Sequence, residues 1–263
     1  MIKLTGCINL EDYGLLLQDD CLTITKTIEE PILIDNIKCV SLNEGVIAKI
    51  VDKNENSNVK VLVSLNSSLD YQIMNSKNCN HEFKCYGNLH VMQISLGQTN
   101  EDFNIELLHE GSNANVELLA LGSNVKKNFI QSIIHSAKNT ISNISNFGIA
   151  MKKADILFDT TGKINKGMAK SVCKQLSKGV VMDDESAITS RPILLIDEYD
   201  VVANHGASIG KMSDESLFYL MSRGLTKTEA FLLILEGILR PFIDQIMDEE
   251  LKNELEKEIR ALI

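Results

Sequence analysis

The sequence predicts a mainly β protein that ends in an α-helical region, and three observations carry that reading. Short β-branched runs such as Val59-Lys60-Val61-Leu62-Val63 alternate with polar turns rich in Asn, Ser and Lys. Aromatic residues make up only 5% and Trp is absent, while Ile, Leu, Val and Asn recur throughout, a mix suited to stacked aliphatic strands closed by Asn turns. The strand pattern then stops near Gly210, where apolar residues begin to recur at steps of three and four.

Residues 1–40 mix short apolar runs with Gly14 and Pro31, and no element is assigned to them. A β domain is expected over 41–210, with strand-like runs at Val46–Val51, Val59–Val63 and Leu89–Ile94. Gly111-Ser112-Asn113 and Gly122-Ser123-Asn124 form an internal echo, each leading into an apolar run. A repeated turn of this kind suits a solenoid whose units stack on a common core. A meander would use the same turn, so the residues leave a β-helix and a sandwich both open.

A helical domain is expected over 211–263. Ser213 is placed as N-cap of a first helix with Leu217, Leu220 and Met221 on one face, and Gly224 sits where a left-handed C-cap belongs. Thr226 and Glu229 read as a capping box for a second helix that runs toward Arg240 and breaks at Pro241. Phe242, Ile243, Ile246, Met247, Leu251, Leu255, Ile259 and Leu262 then predict a last amphipathic helix.

With 263 residues, 44% of them hydrophobic, the chain can build a sizeable core, and its net charge of −10 argues against a nucleic-acid partner. Ten lysines between Gly122 and Lys178 face only Asp155 and Asp159. They read as a solvated face that discourages edge pairing, or as a surface for an acidic partner. The start of the chain lacks a basic stretch followed by an apolar run, so no signal peptide is expected. The longest apolar run, Ala230 to Leu235, is far short of the roughly 20 residues of a membrane helix. A cytoplasmic protein without a membrane partner is therefore expected, with its six cysteines as reduced thiols.

Cys79, His81, Cys85 and His90 form the tightest group of soft donors, suited to zinc or an iron–sulfur cluster if one loop converges them. Their spacing matches no common zinc motif, which favours ordinary turn residues. Cys7, Cys21 and Cys39 are isolated among apolar neighbours and read as small hydrophobes. Cys173 lies between Lys170 and Lys174, a setting expected to lower its pKa and favour the thiolate. Asp183 and Glu185 are the alternate pair that a carbohydrate enzyme could use. The sequence carries neither a phosphate-binding loop nor a dinucleotide fingerprint, so it is not expected to hydrolyse ATP by itself.

The stretch Asp200-Val201-Val202-Ala203-Asn204-His205-Gly206-Ala207-Ser208-Ile209-Gly210, followed by Leu217-Phe218-Tyr219-Leu220-Met221-Ser222-Arg223-Gly224-Leu225, resembles the SufB/SufD family of iron–sulfur assembly scaffolds. Gly162-Lys163-Ile164, Val180 to Ala187, Pro192 to Ile196 and Glu236 to Phe242 fall in the family's order. The resemblance implies a right-handed parallel β-helix with a C-terminal helical domain. It also implies a transient iron–sulfur cluster and dimerisation through the late strands, as a homodimer or with a SufB/SufD-like partner. A SufC-like ABC ATPase would be gripped by the helices, with Phe218, Tyr219, Arg223, Leu225, Pro241 and Phe242 as contacts. His205 is the ligand position that matches, and Cys173 is a substitute ligand nearby. The sulfur-receiving cysteine position of SufB falls at Ser177, its glutamate at Gly206, and the SufD-type cysteine at Ala203. Those departures favour, as the alternative, a structural or regulatory ATPase-binding protein that never holds a cluster.

Overall fold

Buried side chains, apolar but for His81, fill every second position through residues 58–63 and 78–85, and a chain with that period buries one face of each strand. The computed structural model of the protein describes residues 1–4, 10–56, 58–74 and 77–262. Its strands are β1 (Ile2–Lys3), β2 (Leu15–Gln18), β3 (Cys21–Ile24), β4 (Ile32–Ile34), β5 (Cys39–Leu42) and β6 (Ile47–Asp52). Longer ones follow: β7 (Asn58–Val63), β8 (Ser68–Met74), β9 (Asn78–Cys85), β10 (Asn88–Ser95), β11 (Thr99–Leu107) and β12 (Asn113–Ser123). The last are β13 (Lys126–His135), β14 (Ile141–Met151), β15 (Asp155–Ile164), β16 (Val172–Val181), β17 (Ala187–Ile196) and β18 (Val202–Lys211).

The strands form two nine-stranded sheets, ordered β1-β4-β6-β8-β10-β12-β14-β16-β18 and β17-β15-β13-β11-β9-β7-β5-β3-β2. From β3 onward the chain changes sheet after every strand, so each pair of strands adds one layer to both. All pairings are parallel except β2 with β3. Because parallel partners in register share a face, inward side chains stack in columns. One such column runs Ala48, Leu69, Leu89, Ala114, Ser142, Cys173, Ala203. Turns between layers need left-handed backbone, supplied by Asn66, Asn124 and Asn139 and by Gly111 at φ 82°.

The C-terminal region comprises α1 (Asp214–Ser222), α2 (Lys227–Ile243) and α3 (Glu249–Leu262). Ser213 accepts from the Ser216 amide, Thr226 and Glu229 close a capping box, and Gly224 follows α1 at φ 100°. Leu235, Leu239 and Ile243 of α2 and Leu251, Leu255 and Ile259 of α3 pack on Met92, Ile94, Leu119, Leu121 and Ile149 of the first sheet. Gln72 pins the linker between α2 and α3: its amide donates to the Gln245 carbonyl at 2.7 Å and accepts from the Met247 amide at 3.1 Å.

Several expectations are corrected. The strands begin at Ile2, well before residue 41. The Gly-Ser-Asn echo marks the two ends of the single strand β12, not successive layers. Helix α2 continues through Pro241 to Ile243, because a proline in the last turn sacrifices only one backbone bond. Phe242 and Ile243 thus belong to α2, and α3 starts at Glu249. Cys21 and Cys39 are not reduced thiols: they are register partners on β3 and β5 and are joined by a disulfide. Cys7 lies outside the described residues. Among the ten lysines, Lys127 is fully buried, since its neighbour Lys126 takes the outward position of β13. Among the described residues no helix is long and apolar enough to cross a membrane.

Candidate functional site

Toward the late strands the core changes character. The column Ile50, Tyr71, Val91, Val116, Ile144 ends in Gln175 and His205. Its neighbour passes from Leu118 to Asn146, Ser177 and Ala207. The column through Ala114 turns to Ser142 and Cys173. In these columns polar groups with desolvation costs of kcal/mol size have replaced aliphatic ones that would have packed well, and the columns end in the last layers, where β17 and β18 each leave one edge without a paired strand.

His205 and Cys173 occupy the inward face of adjacent strands, as diagonal neighbours, with Gln175 the register partner of His205 and Ala203 that of Cys173. His205 is exposed, because β18 is the outermost strand. Cys173 is only 1% exposed. The expectation of a lysine-activated thiolate is overturned: Lys174 points outward, and burial pushes the Cys173 thiol up, opposed by a hydrogen bond with Ser142. Ser177 is buried in the next inward position and Gly206 takes an outward one.

Ser142 lies at the end of a chain of donors and acceptors. Its hydroxyl is 2.8 Å from His135 Nε2, His135 Nδ1 is 2.7 Å from Thr140 Oγ1, and Thr140 Oγ1 is 3.0 Å from Ser171 Oγ. Burial lowers the His135 pKa to about 4, so the ring is neutral and carries one donor and one acceptor. Asn146 donates to Gln131 Oε1 at 2.7 Å across the interior. Sequence reasoning missed Ser142, His135, Asn146 and Gln175. Their signal was polar residues at inward positions of otherwise alternating strands.

Cys79, His81 and Cys85 do not converge with His90. The first three face inward along β9, whereas His90 faces outward on β10 beside Asp70. They are strand residues, not turn residues. His81 is clasped between Asp52 (3.1 Å from Nε2) and Glu101 (2.8 Å from Nδ1), and the Tyr71 hydroxyl donates to Asp52. Burial pulls the His81 pKa down, but hydrogen bonds and charge from Asp52 and Glu101 outweigh it and raise it to about 10. The carboxylates sit on opposite sides of the ring, and no group of three His, Cys, Asp or Glu among the described residues could hold a metal ion. Asp183 and Glu185 lie in an exposed turn, where Asp183 accepts the Lys152 and Glu185 amides.

In the helical region, Phe218 is 75% and Tyr219 56% exposed, with the Arg223 guanidinium 5.2 Å from the Tyr219 ring centroid. Leu225 is half-buried and Pro241 exposed. Phe242 is turned toward the sheet, its ring centroid 6.0 Å from that of Phe147.

A stack of largely parallel strands that ends in soft and polar side chains, with a helical region packed on one sheet, defines a mainly β protein with two stacked sheets and a C-terminal helical region. The chain belongs to the SufBD family of the SUF system for iron–sulfur cluster assembly, whose core-domain model matches residues 34–238. It is 37% identical over 129 residues to the iron–sulfur cluster assembly protein SufD of Bacillus subtilis, covering 49% of this chain and 30% of that protein. A SufBD family protein of Mycobacterium bovis is 33% identical over 131 residues, covering 50% of this chain and 15% of its own length. One from Staphylococcus haemolyticus is 27% identical over 213 residues, covering 78% of this chain and 44% of its own length. The chain thus spans less than half the length of these relatives.

Proposed function

We propose that the protein is a cytoplasmic scaffold or accessory subunit of a SUF-type iron–sulfur assembly complex, and not itself an enzyme. In this reading the two alternating sheets are a right-handed parallel β-helix, the late strands β17 and β18 pair with a second scaffold subunit, and the helices bind a SufC-like ABC ATPase. The nascent cluster is cargo, formed where His205 and Cys173 meet the partner. The observation that carries the reading is the polar inner face of the last layers beside two unpaired strand edges. Exposed edges favour pairing with another chain, and thiol and imidazole donors suit iron. The exposed Phe218, Tyr219 and Arg223 supply the aromatic and arginine anchors common at interfaces.

Anaerobic capture of the ATPase by this chain, with and without Arg223→Glu, tests the reading. A stable complex weakened by the substitution is expected, and no complex under any nucleotide condition would sink it. A second reading, in which the protein binds the ATPase but never holds a cluster, is favoured by Ser177, Gly206 and Ala203 at the other ligand positions. Anaerobic iron and sulfide analysis separates the two: less iron in His205→Ala than in the unsubstituted chain supports the first, and equal iron removes His205 from it.

A further inference from the structure

Cys21 and Cys39 open β3 and β5 at outward positions, on the face of the second sheet turned away from the core. Their inward neighbours Leu22 and Val40 are buried, whereas both cysteines are only half-buried. Helices α2 and α3 pack on the other sheet, away from this face. The bridge adds stability without being what makes the fold possible: Leu22, Ile24, Val40 and Leu42 already fill the first layers at 1% exposure or less. A chain of 263 residues builds such a core without the disulfides on which small secreted domains depend.

Charge makes the two sulfurs unequal. Beside Cys39 on the same face stands Lys60, its register partner on β7, with Glu82 beyond it at 3.8 Å from Nζ. Beside Cys21 stands the uncharged Gln18, its register partner on β2. The turn that joins Gln18 to Cys21 consists of Asp19 and Asp20, both in left-handed backbone, and Lys38 holds the Asp20 carboxylate at 2.8 Å. Negative charge released at the pair is therefore stabilised at the Cys39 sulfur by a cation and opposed at Cys21 by Asp19. In thiol–disulfide exchange a thiolate adds to one sulfur while the other departs, and the better stabilised thiolate departs faster.

We propose that the bridge between Cys21 and Cys39 is an exchange site for a small monothiol, with Cys21 Sγ attacked, Cys39 Sγ leaving, and Lys60 stabilising the departing charge. The incoming thiolate bonds to Cys21 Sγ as the bond to Cys39 Sγ breaks. A second monothiol then attacks the sulfur of the first, and Cys21 leaves as thiolate. Both cysteines take up protons from solvent; their two electrons come from the two monothiols, which depart joined as a disulfide. The same steps run backwards from that disulfide close the bridge with no other oxidant. The choice of a monothiol rests on the cytoplasmic scaffold reading, since disulfides in that compartment are mostly transient.

The test exposes the oxidised whole chain, without denaturant, to reduced glutathione, with acid quenching and peptide mass mapping. The expected result is early glutathione adduct on Cys21 with Cys39 free, then full reduction, and reclosure on transfer to oxidised glutathione. Lys60 is exposed, so its substitution leaves the core intact. Lys60→Met should slow opening about threefold, and Lys60→Arg should hold the original rate. A bridge that stays closed until urea unfolds the chain overturns the proposal. So does adduct chiefly on Cys39, an unchanged rate in Lys60→Met, or a rate in Lys60→Arg that falls with it. Exchange without ATPase capture would sink the scaffold reading alone, and capture by a chain whose bridge resists glutathione would sink this one alone.

Discussion

Two buried basic groups of opposite pH behaviour lie two strands apart in the second sheet, His81 on β9 and Lys127 on β13, and replacing one should unmask the other. His81 has a folded pKa raised to about 10 from an ordinary 6.5, so its stabilisation is complete below pH 6.5 and is lost as pH rises toward 10. Lys127, which donates to Ser95 Oγ at 2.7 Å and to the Gly97 carbonyl, is lowered by burial to about 7 from 10.5. Its contribution is complete above pH 10.5 and is lost as pH falls to 7. Between pH 7 and 8.5 the two slopes are about 1.4 kcal/mol per pH unit each and opposite in sign, so they nearly cancel. Lys127→Met leaves the His81 slope alone and should lose about 2 kcal/mol over that window. Urea unfolding would register this as a fall in midpoint of roughly 0.5–1 M. His90, half exposed beside Asp70 and raised in pKa, adds a smaller loss of the same sign. The window closes at pH 8.5 because burial raises Cys85 to about 12 and Cys173 upward, and those thiols bring losses of their own. A Lys127→Met midpoint that stays level from pH 7 to 8.5 would refute the opposition of the two groups. So would an unsubstituted chain that already falls by the full amount.

Removing the ring in His81→Ala leaves Asp52 and Glu101 buried without the cation between them, and should cost about 3–5 kcal/mol at pH 7 in the same urea assay. Gly162→Ala drives a methyl onto Cys173 Sγ and should destabilise by about 1–3 kcal/mol, with faster modification of the displaced thiol as an independent readout. Cys39→Ser opens the staple between β3 and β5, which spans 18 residues, and should cost about 3 kcal/mol, read as earlier hydrogen exchange in the first layers.

The helices were legible because their signals are local: Ser213, Thr226 with Glu229, and Gly224 mark boundaries within one turn of the chain. The longer strands were legible through alternation, as at Val59, Val61 and Val63. The first layers were not, since strands of two to four residues give alternation no length to emerge. The disulfide and the His81 clasp escaped because their partners meet only once the register is set. Asp52 and Glu101 flank His81 in sequence at distances no spacing motif links. The setting of Cys173 was misjudged because adjacent strand residues face opposite ways, so proximity in sequence to Lys174 meant separation in space. Lys127 was hidden among the lysines for the same reason. The family resemblance was legible in the stretch from Asp200 to Leu225, and it pointed to His205 and Cys173; the polar residues that surround them became visible only as stacked columns.

The two ends of the second sheet differ in polarity, and that difference limits growth. At one end β2 runs antiparallel to its neighbour, so a parallel strand arriving there meets a reversed edge and cannot continue the series. At the other end β17 presents a regular edge in line with the rest. Identical copies that join at this edge by a two-fold axis consume both regular edges at once and must lay their strands antiparallel to each other. A head-to-tail array would need the reversed end as well. Within the second sheet a single turned-back strand therefore acts as a counter: β17 is left as the regular edge, and copies that use it are satisfied in pairs.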